Sequence, residues 1–137
     1  MNDFFTQLYD SLITNPDFAD DLYNTNTYVT VGIVMVLVSL IGMALYYYGL
    51  SNYKDFSKLS GWLTCLVVLA IINFGLAWFF AHEEIANVYK NSEQGDPFIM
   101  TNYLWFSLIN MMYSAIFSFV FSLGLKIKSV CASKTPF

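Results

Sequence analysis

The sequence predicts an all-α, polytopic membrane protein with three transmembrane helices and an N-terminal amphipathic helix outside the membrane. Three observations carry that expectation. Hydrophobic residues form 57% of the 137-residue chain and charged residues 12%, against about 25% charged in a soluble globular domain. Residues 28–50, 61–81 and 103–125 are uncharged apolar runs, each long enough for the roughly 20-residue helix that crosses the hydrocarbon layer. The segment before them repeats apolar residues at helical spacing.

The N-terminal segment, residues 1–27, opens with Phe4, Phe5, Leu8, Tyr9, Leu12 and Ile13 on one helical face, with Asp3, Gln7 and Asp10 between them. Asn15 followed by Pro16 predicts a stop and a new short helix, with Asn15 as its N-cap and Pro16 at its first position. Helices that lie on lipid are usually rich in Lys and Arg on the polar face, whereas this one is acidic. The apolar face is therefore expected to dock on protein: the chain's own outer loop, a second copy or another subunit.

Residues 28–125 form the expected three-helix transmembrane domain, and residues 126–137 a short cytoplasmic tail. Short cytoplasmic loops retain positive charge. Lys54, Lys58, Lys126, Lys128 and Lys134 fall on one side of the predicted spans and only Lys90 on the other. The expected orientation is N-terminus outside and C-terminus cytoplasmic, in a bacterial cytoplasmic (inner) membrane. Nine of the acidic residues, from Asp3 to Asp96, collect on the outer side. With no basic residue and no apolar run near the start, a retained N-terminal segment is expected rather than a cleaved signal peptide. Tyr46, Tyr47, Tyr48 and Trp62 are expected as aromatic anchors at the inner boundary, and Trp78, Phe79, Phe80, Tyr103, Trp105 and Phe106 at the outer one. The 82–102 loop carries HEEIANVYK, expected as a separate short helix, and then the turn-rich NSEQGDP.

Between helices in lipid there is little hydrophobic drive, so small residues and interhelical hydrogen bonds mark the contact faces. In the first span Gly32, Met35, Ser39, Gly42, Tyr46 and Gly49 follow three-four spacing. In the second, Gly61, Cys65, Asn73, Ala77 and Ala81 follow a four-residue repeat interrupted by Leu69, and the Asn73 amide should bond to a neighbouring helix. The third span carries Ser107, Asn110, Ser114, Ser118 and Ser122 within a sector of about 120° at 100° per residue. Such a stripe serves either as interhelical glue or as the lining of a pore.

Several chemistries lack their residues. Six Lys and no Arg offer no basic surface for nucleic acid. His82 is the only histidine, and no spacing of ligands suggests a metal. Cys65 and Cys131 are too far apart in depth to pair and form no Cys-x-x-Cys motif. No serine has a histidine placed to activate it, and no glycine-rich phosphate loop is present. No span holds a mid-membrane ionisable residue of the kind that ion-coupled transporters use. The expectation is a chain without cofactors whose partners are the lipid bilayer and either itself or other membrane subunits. That makes it a non-enzymatic component of a larger membrane complex, the alternative being a homo-oligomeric channel lined by the third-span stripe.

Overall fold

The computed structural model describes residues 2–49, 59–90 and 96–126. Lys54, Lys58, Glu93, Lys128, Cys131 and Lys134, on which part of the orientation and tail reading rests, lie outside the described residues. The described residues form five helices and no strand: α1 (Asn2–Asp10), α2 (Pro16–Asn24), α3 (Thr27–Tyr48), α4 (Leu59–Val88) and α5 (Met100–Lys126). The three long apolar helices have the length and composition to cross a membrane. They pack on one another, and α1 and α2 cap the end of the bundle where α4 finishes and α5 begins.

Local chemistry sets the corners. Asn15 caps α2, its Oδ1 accepting from the backbone N–H groups of Asp17 (3.2 Å) and Phe18 (3.4 Å), with Pro16 in the first turn as expected. At the other end Thr25 Oγ1 donates to the Asp21 carbonyl at 2.8 Å and lies 2.6 Å from Thr27 Oγ1. Asn26 takes φ 57°, the left-handed conformation that asparagine tolerates better than most residues. This tight corner turns α2 directly into α3.

The spans differ from expectation mainly at their ends. The separate helix expected from His82 is instead a continuation of α4 to Val88. No Gly or Pro interrupts residues 82–88, and Ile85 extends the buried four-residue repeat of Asn73, Ala77 and Ala81. At 1.5 Å per residue the 30-residue helix is about 45 Å long, more than the ~30 Å hydrocarbon layer needs. Its last two turns therefore stand beside the cap, where Ile85 packs in the same cluster as Phe18 and Leu22.

Two apolar clusters hold the bundle. At the capped end Phe5, Tyr9, Phe18, Leu22, Tyr28, Ile85, Tyr103 and Phe106 interlock. Phe18 meets the rings of Phe98 and Tyr103 edge-on, both with centroids 5.1 Å away. At the opposite end Met43, Tyr46, Tyr47, Trp62 and Leu69 pack together. Tyr46, Tyr47 and Trp62, expected as boundary anchors, turn inward and are buried, while Tyr48 is exposed. Three consecutive aromatics sweep about 200° of a helix, so they cannot all share one environment. At the capped end Phe79 and Trp105 face outward, and Tyr103 and Phe106 are buried.

Glycine positions two contacts. A Cβ added at Gly32 would overlap the Phe5 ring, and one at Gly42 would overlap the Leu69 side chain. Leu69, which interrupts the small-residue repeat of α4, is thus the knob that fills the space at Gly42. Gly42→Val is expected to destabilise the bundle by about 1–3 kcal/mol through overpacking, read as a lower midpoint in denaturing-detergent titration. The double variant Gly42→Val/Leu69→Ala should recover part of the loss.

Candidate functional site

All five residues of the third-span stripe, Ser107, Asn110, Ser114, Ser118 and Ser122, are buried, and so are Ser39 of α3 and Asn73 of α4. The structure brings several of them together at the bundle centre. Asn73 Nδ2 donates to Ser114 Oγ at 2.7 Å and reaches Ser39 Oγ at 3.5 Å and the Leu69 carbonyl at 3.1 Å. Ser39 and Ser114 hydroxyls are 3.3 Å apart. One side chain from each span therefore meets at a single point.

Asn110 lies one turn nearer the cap and extends the network. Its Nδ2 donates to the Asn73 backbone carbonyl at 2.9 Å, and its Oδ1 accepts from the Tyr9 hydroxyl at 2.6 Å. Tyr9 is fully buried, stacked on Tyr28 with centroids 5.6 Å apart and packed against Phe106 and Tyr113. Met35 Sδ lies 3.9 Å from the same hydroxyl, a weak acceptor beside the strong amide oxygen. Burial holds the Tyr9 hydroxyl above the ordinary tyrosine range. Tyr113 fixes α1 from the other side, its hydroxyl donating to the Leu8 carbonyl at 2.7 Å.

The remaining stripe residues behave differently. Ser107 and Ser122 hydroxyls donate back along α5 to the carbonyls of Tyr103 and Phe119, both at 2.7 Å, the within-helix bond that serine hydroxyls commonly make. Ser118 Oγ and Asn73 Oδ1 are buried and meet no hydrogen-bonding group among the described residues. From Asn110 to Ser122 the polar column covers about 18 Å of helix.

The six apolar residues of the N-terminal helix divide. Phe5 and Tyr9 are buried and Leu8 and Ile13 pack against the same cluster, all on the chain's own spans. Phe4 and Leu12 stay 57% and 51% exposed. Gly32 lies under Phe5, and Gly42 is partly buried against Leu69. Cys65 is a half-buried free thiol.

Sequence reasoning missed three polar contacts at the cap. Tyr89 donates to Asp21 Oδ2 at 2.7 Å, Tyr103 donates to Asp96 Oδ2 at 2.5 Å, and Asp96 Oδ1 accepts from the Phe98 N–H at 2.8 Å. The residues of the first pair are 68 positions apart and carry no periodic signal. The acidic side of α2 also borders a cavity of about 510 Å³ lined by Asn15, Asp17, Asp20, Asp21, Tyr89 and Phe98. Among the described residues no group of three or more His, Cys, Asp or Glu side chains is arranged to hold a metal ion.

The fold and its central network define a membrane-spanning three-helix bundle with a folded helical cap. Comparison with protein-family models, with curated proteins and with solved structures finds no match to this chain.

Asn73→Ala removes the amide at the three-helix junction and is expected to cost about 1–3 kcal/mol, measured by detergent unfolding. Tyr9→Phe should cost about 0.5–1.5 kcal/mol and release α1, seen as faster proteolysis after residue 10. The Asp21 carboxylate, by accepting a hydrogen bond from it, holds the Tyr89 hydroxyl above the usual value of 10. That contact therefore contributes fully below pH 10 and is lost as pH rises through the higher folded value. Subtracting a Tyr89→Phe tyrosinate titration from wild type should give a midpoint above pH 10, which Asp21→Asn should lower.

Proposed function

We propose that this chain is a non-enzymatic integral membrane subunit that assembles with copies of itself or with other membrane proteins, in a structural or accessory role. The observation that supports it most directly is the destination of the polar side chains. Asn73, Asn110, Ser39 and Ser114 bond to one another across the spans and to Tyr9, which makes one well-specified block. The groups left outward are an apolar flank and an acidic cap. Asp10, Asp17, Asp20 and Glu83 are exposed there, and the concave face of α2 carries three carboxylates. A surface of that sign suits a basic partner segment and speeds its encounter.

In this reading the cap lies outside and the C-terminal tail is cytoplasmic, in a bacterial inner membrane, as the lysine distribution favours. The alternative is a homo-oligomeric channel lined by the third-span stripe. The buried, unpartnered Ser118 Oγ and Asn73 Oδ1 favour it by leaving hydrogen-bonding capacity on the polar column. It also requires Ser114 to leave Asn73, since that contact turns the stripe toward the chain's own helices. Cysteine scanning of α5 separates the two: reaction of positions 110, 114, 118 and 122 with a water-soluble thiol reagent supports the channel, and protection removes it.

Purification of the tagged chain from its native membrane in mild detergent should recover companion proteins, or a defined homo-oligomer, in fixed ratio. Asp17→Lys/Asp20→Lys should lower a partner's recovery about tenfold at low salt and less at high salt. A monomer with nothing bound in every detergent tried would end the proposal.

A further inference from the structure

Two cavities lie along the seam between α4 and α5. One, of about 230 Å³, sits at the capped end and is lined by Trp78, His82, Asp96, Phe98, Met100 and Tyr103. The other, of about 390 Å³, lies deeper; Leu66, Val67, Ala70, Leu108, Met111 and Met112 line it, and it is almost wholly apolar. Val67 and Trp78 are eleven residues apart on α4, and so are Met100 and Met111 on α5. Eleven residues bring a helix back to within about 20° of its starting direction after roughly 16 Å of rise. Both cavities have walls from α4 and from α5, the polar one at the capped end and the apolar one within the spans.

The upper cavity combines three aromatic rings with one carboxylate. Asp96 uses each oxygen once, for the Phe98 N–H and the Tyr103 hydroxyl, and each keeps a second acceptor position. A carboxylate among Trp, Tyr and Phe rings is the chemistry that holds an ammonium group. Trp78 Nε1–H is buried and meets no acceptor among the described residues. The His82 ring stacks on Trp78 with centroids 5.6 Å apart. The exposed His82 imidazole carries a donor of the kind a phosphate needs, and the Trp78 ring forms the wall beside it. Below them the lining loses all charge and faces the hydrocarbon.

We propose that the α4/α5 seam binds one zwitterionic phospholipid, its ammonium group beside Asp96 and the aromatic rings, its phosphate at His82, and an acyl chain in the apolar groove. The two cavities match the two halves of such a lipid in order, spacing and polarity. A free ammonium or phosphate ion would leave the lower groove unused. An anionic lipid would meet the Asp96 carboxylate without a compensating cation. This site is independent of whether the chain has protein partners.

The test uses the full chain in mild detergent with equal amounts of phosphatidylethanolamine, phosphatidylcholine and phosphatidylglycerol, counting retained lipid by native mass spectrometry. Wild type should keep one lipid with a cationic headgroup in preference to phosphatidylglycerol. Asp96→Asn, which retains an acceptor for the Phe98 N–H, should lower that retention about tenfold. Trp78→Phe should lower it less, and Ala115→Leu, at the groove wall on the other helix, should lower retention of every lipid. Equal retention of all three lipids, or no response to either Asp96→Asn or Ala115→Leu in variants of unchanged helicity, would overturn the proposal. So would efficient cross-linking of Met112→Cys to a second copy or another protein in native membranes, since a helix would then occupy the groove.

Discussion

A carboxamide in hydrocarbon has no water to bond to, and the arrangement of this bundle follows from where Asn73 finds its partners. Apolar contact alone would not orient the three spans, because lipid tails are as apolar as the side chains they replace. The Asn73 contacts do orient them. Ser39 must face inward on α3 and Ser114 on α5, and the rotation of each helix is set once those hydroxyls lie within reach. Leu69 then falls one turn away against Gly42, and Ala77 and Ala81 leave room on the cap side for the aromatic cluster. The network supplies direction and the small residues supply proximity.

Asn110 carries the same constraint outward to a segment that is not itself a span. Its amide joins the Asn73 backbone to the Tyr9 hydroxyl, so α1 is tied to the bundle centre by a polar contact and around it by rings. Phe5 and Tyr9, four residues apart, sit on the single face that the spans cover, while Phe4 and Leu12 stay outside. The acidic residues of α2 stay at the rim, where water can solvate them, except that Asp21 also holds Tyr89. Charge is thus sorted by depth: apolar and amide chemistry inside, carboxylates at the end.

The spans were legible because length and absence of charge are sufficient signals in lipid. Their ends were less so, since α4 leaves the apolar run at Ala81 without a breaker and Ile85 gives the extension a buried face. The stripe on α5 and the importance of Asn73 could be read from spacing, yet the pairing of Asn73 with Ser39 and Ser114 is a relation between helices that no single helical wheel contains. Tyr9 was visible as part of an apolar face, but its hydroxyl reaching Asn110 was not, because a phenol on such a face looks the same whether its oxygen points to water or inward. Tyr46, Tyr47 and Trp62 meet the same limit: composition places them near a boundary and does not say which way they turn. Asp96, Tyr103 and Tyr89 at the cap depend on how the ends of α4 and α5 meet α2, and no periodicity encodes that.

Tyr9 and Asn110 stand 101 residues apart in a chain made from the N-terminus onward. Phe5 can seat on Gly32 and Tyr9 on Tyr28 once α3 is made, but the Tyr9 hydroxyl gains its acceptor only with α5. A chain halted before α5 leaves the Tyr9 hydroxyl without its acceptor and the Tyr9 ring without Phe106 and Tyr113 against it. Full seating of α1 is thereby a report that α5 has packed beside α3.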